Sequence, residues 1–305
     1  MTFTLEYQIP KMTNIVFVSD LFLSDYRGGA ELTTEALLDS APEGQRIFRL
    51  HSVSLTRELV EKNKNLTWVL FNWSQAPRDG LVALVNENCN YYCVEYDYKY
   101  CSFRSSHLHK LQTGNTCDCH LQRNFAVAFF KRAKHVFFMS AGQLREYQER
   151  FPDMHQCTHL SVLSSVWRDM DLDALLQLRK ESRKSEKWAV LTGGSWIKNQ
   201  EKTEAYCKAN GLAYELIGNL TYLEFLNRLS GYKGLVFHPA GFDTCPRLVI
   251  EAKIMGLELD LNENVQHQDE KWFKDASPDD IVKYLRDRPE RFWSILLGKK
   301  EAIDV

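Results

Sequence analysis

Two acidic residues, Asp243 and Glu251, flank the predicted start of a helix in the stretch GLVFHPAGFDTCPRLVIEAKIMGLELD. An apolar run before them predicts a short buried strand, and Pro246 and Gly256 mark the first position and the end of the helix. A strand that leads through a loop into a helix N-terminus creates an anion site, because free N–H groups and the helix dipole point the same way. Acids beside such a site indicate a ligand with both phosphates and hydroxyls, such as a nucleotide sugar. The alternative is an ordinary strand-loop-helix unit with a surface aspartate and a helix glutamate.

The loop itself adds groups that suit phosphate. Thr244 supplies a hydroxyl, and Arg247 supplies a planar, permanently charged guanidinium group that can donate two parallel hydrogen bonds. Together with the intervening Cys245, these residues form the predicted donor-binding loop.

A second loop with phosphate-binding chemistry is TGGSWIKNQ, which follows a predicted strand at Trp188 to Leu191. It contains Gly194, Ser195 and Lys198. An ammonium group beside glycine amides neutralises a leaving diphosphate, so Lys198 is a candidate catalytic residue.

A third anion-ready unit lies near the start of the chain, where the strand NIVFV runs through SDLFLSDYRGG into the helix AELTTEALLDS. Its candidate residues are Gly28, Gly29 and Glu31. The G-x-G-x-x-G fingerprint of dinucleotide binding is absent from it. A tight turn that uses glycine for its backbone freedom is the alternative explanation.

The length and composition of the chain limit the classes of protein to which it can belong. A chain of 305 residues with 44% apolar and 12% aromatic residues predicts two packed domains of about 150 residues each. The net charge of −2 gives no global electrostatic case for nucleic acid or an anionic membrane. No secretory signal is visible, and no apolar run approaches the roughly 20 residues of a membrane helix. Eight unevenly spread cysteines fit a reducing compartment, so the expected location is cytoplasmic.

Strands alternate with helices of about 10–15 residues along most of the chain, which predicts an α/β fold with parallel sheets covered on both faces. We place the domain boundary near residue 165. Residues 1–165 then form one Rossmann-like domain and residues 166–305 the other.

The motifs also carry a family resemblance. The acid at 243, the Glu-Ala after seven intervening residues, and the later small-Gly-apolar run resemble the donor motif of the family 4 glycosyltransferases. The Gly-Gly turn at 28–29 and the loop around Lys198 come in that family's order. The resemblance covers most of the chain and implies the two-domain GT-B fold, with a last helix that crosses back onto the N-terminal domain. It departs from the family in having Asp rather than Glu at 243 and NVQH in place of a Gly-rich turn.

The resemblance implies roles for these residues. Asp243 would hold sugar hydroxyls and Glu251 the ribose, with Gly28 and Gly29 near the donor phosphates or the acceptor. Lys198 would neutralise the diphosphate, and Arg247 would replace an Arg that the family often has before the Lys. The implied reaction retains the anomeric configuration and needs no metal or other cofactor at the diphosphate.

Residues 89–120 form a predicted insert with five of the eight cysteines. The set Cys101, Cys117, Cys119 and His107 could bind a structural zinc ion, although no C-x₂-C pair is present. Packing of cysteine as a small apolar residue and a labile disulfide are the alternatives.

The same insert is the predicted acceptor surface, because it follows the fourth strand of the first domain. Stacking rings and cations suit a sugar polymer or an extruded base, and a solvated aromatic-rich loop is the alternative. In the family a histidine near this strand end contacts the sugar; here that place holds Asp97, which is a fourth candidate catalytic residue. The candidate acceptor-side residues are Glu31, Tyr98, Lys99, Arg104, His107 and His109.

The sequence therefore predicts a glycosyltransferase that moves a sugar from a UDP- or GDP-sugar to a hydroxyl. The short chain and its DTCPR variant resemble virus- and phage-encoded types, which makes a hydroxymethylated pyrimidine in DNA a candidate acceptor beside a glycan. A nucleotide-sugar epimerase on the same fold and a non-catalytic binding subunit are the rival hypotheses.

Overall fold

The computed structural model describes residues 8–299. Its first sheet contains six strands, all paired in parallel: β1 (Ile15–Ser19), β2 (Ile47–His51), β3 (Thr67–Leu70), β4 (Asn90–Glu95), β5 (His135–Phe138) and β6 (Leu160–Val162). The strand order is β2-β1-β3-β4-β5-β6. The helices of this part are α1 (Gly29–Asp39), α2 (Arg57–Lys62), α3 (Arg78–Asn86), α4 (Ser106–Thr113), α5 (His120–Arg132) and α6 (Ala141–Arg150).

The second sheet has four parallel strands: β7 (Trp188–Leu191), β8 (Tyr214–Ile217), β9 (Gly234–Phe237) and β10 (Glu258–Leu261). Its order is β10-β9-β7-β8. The helices of this part are α7 (Asp169–Glu181), α8 (Gln200–Ala209), α9 (Tyr222–Ser230), α10 (Arg247–Ile254), α11 (Lys271–Lys274) and α12 (Pro278–Leu296). Short 3₁₀ turns occur at Ser52–Ser54, Pro152–Gln156 and Trp196–Lys198.

The central strands are continuous apolar runs because both faces of each sheet are covered. Every residue of β1 and β9 is buried, a pattern typical of parallel strands between two helical layers. The prediction of an α/β fold with two parallel sheets flanked by helices is confirmed.

The two sheets share one hydrophobic core, which runs from the α1 side of the first sheet through α7 to α10 and α12. The C-terminal half of α12 packs on the first sheet: the Trp293 ring stacks on Phe17, and its indole N–H donates to the Leu37 carbonyl at 3.1 Å. The proposed boundary at 165 falls between β6 and α7. No helix within residues 8–299 combines the length and apolarity of a membrane span.

Two elements were not predicted from the sequence. Helix α4 falls within a stretch predicted to be irregular, because it buries no residue and so has no apolar periodicity. Strand β10 is a half-exposed strand at the edge of its sheet, with the alternating sequence ELDL. Helix α12 runs on through Pro289 to Leu296.

Candidate active site between the two sheets

A cavity of about 510 Å³ between α1, α7 and α12 is larger than the two cavities described below, but it contains none of the predicted site residues.

The cavity that we call the first cavity has a volume of about 430 Å³ and lies where strand ends from both sheets meet. Tyr96 and Met139 follow β4 and β5 on one side, and Leu191 ends β7 on the other. Ligands of open parallel sheets bind at the carboxyl ends of the strands, so this is the expected place for a substrate. The predicted site residues that line it are Gly28, Gly29, Lys198, Asp243, Thr244, Cys245, Arg247 and Glu251.

The loop before α10 is fixed to the first domain by hydrogen bonds. The Thr244 hydroxyl donates to the Tyr96 carbonyl at 2.9 Å, and the Ser165 hydroxyl donates to the Cys245 carbonyl at 2.9 Å. No side chain caps the start of α10, and its first turn contains no acid. The N-terminal N–H groups of this helix therefore remain available for an anion in the cavity.

Arg247 and Glu251 form the floor of this region. The Arg247 guanidinium lies 4.0 Å from the Trp167 ring centre and donates to the Val166 carbonyl. Its Nε is 3.6 Å from Glu251 Oε1 and has no hydrogen-bond partner among residues 8–299. Glu251 Oε1 also accepts from Trp167 Nε1 at 3.2 Å and from the Tyr222 hydroxyl at 2.6 Å. The protein thus holds both charged groups rigidly, with Arg247 Nε as an unsatisfied donor.

Lys198 offers a charge that has no acidic partner among residues 8–299. Its Nζ lies 3.4 Å from the Thr192 carbonyl oxygen, which is neutral. Gly193, at φ +141°, lets the ammonium approach the loop, because a Cβ there would lie 2.9 Å from Nζ. The neighbouring Gly194 and Ser195 are exposed and do not line the cavity.

The Gly-Gly turn borders the cavity at the start of α1. A Cβ on Gly28 would lie 2.5 Å from Glu31 Oε2, so a larger residue there would displace the Glu31 carboxylate, whereas Gly29 has ordinary contact room. Burial raises the pKa of Glu31, and the backbone N–H groups of Glu31 and Gly28 oppose that rise. Glu31 thus occupies the N-terminal N–H groups of α1, which leaves α10 as the better anion site.

Asp243 occupies the junction between the first cavity and a second one. Its backbone is fixed by bonds with Asn264 and Gln266, but its carboxylate accepts no hydrogen bond from any side chain or N–H group in residues 8–299. Burial raises the pKa of Asp243 to about 7. An unpaired acid between two cavities can accept hydrogen bonds from ligand hydroxyls.

The second cavity, of about 350 Å³, shares Tyr96, Asp243 and Thr244 with the first. Its remaining wall comes from the insert and from the loop before α8, and it is rich in aromatic rings. The residues on this wall are Asp97, Tyr98, Phe103, Arg104, Ser105, Leu108, Trp196, Ile197 and Phe242.

Asp97 is held by two cations. Its carboxylate accepts from Lys99 Nζ and from the Arg104 guanidinium. Burial acts to raise the pKa of Asp97, but Lys99 and Arg104 outweigh burial and hold that pKa below its usual value. Two further acids complete the network: Glu95 Oε2 lies 3.8 Å from Lys99 Nζ, and Asp20 Oδ2 lies 4.0 Å from the Arg104 guanidinium.

The predicted acceptor-side residues differ in how they lie relative to the second cavity. Lys99 is 1% exposed and paired with acids, so its ammonium group holds Asp97 in the wall of the second cavity from the buried side. The Tyr98 side chain is almost completely buried, and its hydroxyl donates to Gln266. His107 packs on Phe242, with ring centres 4.5 Å apart, and does not line either cavity. Of the predicted set, Arg104 is the cation that reaches the second cavity.

The cluster of ligand atoms in the structure differs from the predicted zinc site by one residue. Cys101, Cys117 and Cys119 do converge, but the imidazole beside them belongs to His109 and not to His107. The reason is the helical pitch of α4, which directs residues 107 and 109 to different sides. His107 faces the loop at Gly241, while His109 Nδ1 lies 3.5 Å from Cys119 Sγ.

Sequence reasoning missed four residues that organise the site: Trp167, Tyr222, Asp20 and Glu95. Trp167, in the segment before α7, and Tyr222, at the start of α9, hold Glu251, and the two acids face Lys99 and Arg104. A polar residue directly after or at the end of a buried strand was the available signal for Asp20 and Glu95. Trp167 and Tyr222 had no local signal, because their role depends on tertiary contact.

No protein-family model matches the chain, and neither does any curated protein. Solved structures that match it include a glycosyltransferase involved in avilamycin A biosynthesis, with 11% identity, a TM-score of 0.44 and coverage of 93% of each chain. An alpha-glucosyltransferase in complex with UDP matches with 10% identity and a TM-score of 0.44, covering 94% of this chain and 96% of the other. An alpha-glucosyltransferase with UDP and a 13-mer DNA containing an HMU base matches with 8% identity, a TM-score of 0.43 and coverage of 93% and 92%. Because the identities are 8–11% and the TM-scores are 0.43–0.44, these matches do not establish the function, which has to be argued from the geometry of the site.

Proposed function

We propose that the protein is a glycosyltransferase that moves a sugar from a nucleoside diphosphate to a hydroxyl group in the second cavity. The observation that carries this proposal is the position of Asp243. This unpaired carboxylate joins a cavity equipped for a diphosphate to a cavity lined with aromatic rings.

The donor fits the first cavity by charge and shape. The diphosphate lies between Lys198 Nζ and the free N–H groups at the start of α10, and the positive charge of Arg247 lines the same cavity. The Tyr222 and Phe225 rings line the cavity near Glu251, which supports assigning the base to these rings and the ribose to the carboxylate.

The sugar then reaches Asp243, which accepts hydrogen bonds from its hydroxyls. The bond between the anomeric carbon and the diphosphate oxygen breaks, the acceptor oxygen forms the new bond to that carbon, and the proton of the acceptor hydroxyl goes to the departing diphosphate. Lys198 and the α10 N-terminus stabilise the charge that develops on the diphosphate. Retention of configuration is proposed from the family resemblance.

The acceptor in this proposal is a hydroxyl carried by a ring that can stack. Phe103, Trp196 and Phe242 line the second cavity with Arg104, a combination that suits a sugar ring or an unstacked base. Hydroxymethylpyrimidine DNA is therefore the first acceptor to test and simple glycans the second.

The test is a screen of UDP- and GDP-sugars with both kinds of acceptor, read by mass spectrometry. The expected result is an acceptor mass increased by one glycosyl unit, with loss of turnover in Lys198→Ala. Lys202→Ala is the matched control, because Lys202 is an exposed lysine four residues further along. A donor that is isomerised without any acceptor would support the epimerase instead. No reaction with any donor would refute the proposed activity.

A further inference from the structure

Three cysteines and one histidine of the insert bring their ligand atoms together. The Sγ atoms of Cys101, Cys117 and Cys119 and a ring nitrogen of His109 all lie within 4.8 Å of one another. His109 Nδ1 is 3.6 Å from Cys101 Sγ and 3.5 Å from Cys119 Sγ. We propose that these four residues bind a structural Zn²⁺ ion.

The separations suit a tetrahedral ion. With Zn–S bonds of about 2.3 Å and Zn–N bonds of about 2.0 Å, ligand atoms stand roughly 3.5–3.8 Å apart. Both measured His109 distances fall in this range. Three thiolates and one imidazole form one of the common structural zinc sites, and all four ligand positions are supplied by the chain.

The insert needs such support because it has little core of its own. Helix α4 lies between Cys101 and Cys117 and contains no buried residue. An isolated helix of eight residues is not stable in water. Residues 114–119 that follow it form no regular structure beyond a turn. A metal bound by residues before, within and after α4 holds the segment in place.

Neither alternative uses all four groups. Three cysteines leave one thiol unpaired after any disulfide, and His109 would then have no role between two sulfur atoms. Simple packing accounts for Cys101, which is 1% exposed, but Cys117 and Cys119 are only partly buried.

The surroundings of Cys119 favour its thiolate. The Ser102 hydroxyl lies 3.2 Å from Cys119 Sγ and can donate to it. Cys119 also sits at the N-terminal end of α5, where the helix dipole favours negative charge.

The site is coupled to the second cavity through the turn that contains Cys101. Cys101 N–H donates to the Tyr98 carbonyl at 3.0 Å, and Arg104 N–H donates to the Cys101 carbonyl at 2.9 Å. A metal on Cys101 therefore holds the turn that carries Asp97 and Arg104 at the cavity wall. This coupling rests on the proposed function, whereas metal binding itself does not.

The first test is metal content by emission spectrometry after purification without chelator. We expect one zinc per chain, and less than about a tenth of that in Cys119→Ser and His109→Ala. Cys157→Ser and His107→Ala are the matched controls and should keep their zinc, because neither residue belongs to the cluster. A wild-type protein without metal, or His107→Ala losing zinc while His109→Ala keeps it, would overturn the assignment.

A second test avoids variants that fail to fold. Wild-type protein treated with a zinc chelator should expose three additional reactive thiols and melt at a lower temperature, and added Zn²⁺ should reverse both changes. Co²⁺ added instead should give the absorption of a tetrahedral cobalt thiolate. An unchanged thiol count with no cobalt spectrum would refute the site.

Activity is measured last, so that the two proposals can fail separately. Chelation should lower kcat/KM for the acceptor by about tenfold, the size of the loss that follows mutation of residues that orient metal ligands. The Kd for UDP should change by less than about twofold. Zinc present without any glycosyl transfer would refute the function and leave the metal site standing. Normal acceptor kinetics in zinc-free protein would refute the coupling.

Discussion

Asp97 and Asp243 both line the second cavity, one from the insert and one from the loop before α10, and their surroundings are opposite. Asp97 accepts hydrogen bonds from Lys99 and Arg104, which keep its pKa low. Asp243 has no such partner, and burial raises its pKa to about 7. The sequence presents both as acids after an apolar strand and gives no sign of this difference.

The contrast separates a carboxylate that holds the scaffold from one that is available to a ligand. The insert wall is stabilised by its ion pairs, so its charges are already satisfied. The α10 wall leaves a carboxylate and several N–H groups unsatisfied at the cavity. A buried polar or charged group that has no partner lowers the stability of the free protein. Such groups are expected at a binding site, where the substrate supplies the missing partner.

The largest effect is expected from Asp97→Asn. The change leaves the almost fully buried Lys99 with Glu95 alone, at 3.8 Å. Breaking a buried ion pair costs about 3–5 kcal/mol, measured as the free energy of unfolding in urea at neutral pH. Asp153→Asn is the control, because the pair of Asp153 with Lys131 lies at the surface and such pairs contribute less than about 1 kcal/mol. Equal losses in the two variants would remove the scaffold role of Asp97.

Next is the activity of Asp243→Asn. Loss of the ionised acceptor for sugar hydroxyls should lower kcat/KM for the donor about 100-fold, the size of losing one charge-stabilising contact. Because the ionised form is the active one, wild-type kcat/KM should rise with pH through about 7, and the variant should lose that dependence. Asp269→Asn, at an exposed site in the same domain, is the control. Full activity in Asp243→Asn would place the sugar elsewhere.

The same variant should gain stability at alkaline pH. The pKa of Asp243 is 3.8 in the unfolded chain and about 7 in the folded one, so wild-type stability falls as pH rises between these values. The shift corresponds to about 4 kcal/mol, of which roughly half remains after allowance for partial exposure. Unfolding at about pH 8.5 should therefore show Asp243→Asn to be about 2 kcal/mol more stable than wild type, and the gain should vanish near pH 4. A variant less stable at both pH values would show that the carboxylate has a partner.

The smallest effect is expected from Thr244→Val. The Thr244 hydroxyl joins the two walls by its bond to the Tyr96 carbonyl, and its loss should cost about 1 kcal/mol of unfolding free energy. Looser walls should raise KM for the acceptor more than kcat falls. Thr56→Val is the control, because it removes a helix cap of similar energy from α2, and no residue of α2 lines either cavity. If Thr56→Val raised the acceptor KM equally, the effect would be general destabilisation.

The donor side could be predicted further than the insert because its signals are local. A strand, a loop with Asp243 and Thr244, and a helix that starts beside Pro246 are successive in the chain and have direct physical signatures. Glu251 and Arg247 then follow from helix periodicity. The partners of Glu251 could not be predicted, because Trp167 and Tyr222 lie 84 and 29 residues away from it in the chain.

The insert could not be resolved from sequence for the same reason. Its conformation depends on contacts among Asp97, Lys99 and Arg104 and on cysteines that converge only in three dimensions. The choice between His107 and His109 depends on the start of α4, which has no buried face to reveal its register. Polar networks and ligand clusters leave no periodic pattern in a sequence.

Calorimetric titration of UDP and of a UDP-sugar into the wild type and two variants tests the central claim most directly. We predict that UDP binds the wild type with a Kd below about 1 mM, within the usual range for enzyme substrates. Lys198→Ala should weaken UDP binding about tenfold or more, whereas Asp243→Asn should leave UDP binding unchanged and weaken only the UDP-sugar. No binding of UDP or the UDP-sugar to the wild type at millimolar concentration, or equal loss of UDP affinity in both variants, would contradict the assignment of the first cavity to the nucleotide and of Asp243 to the sugar.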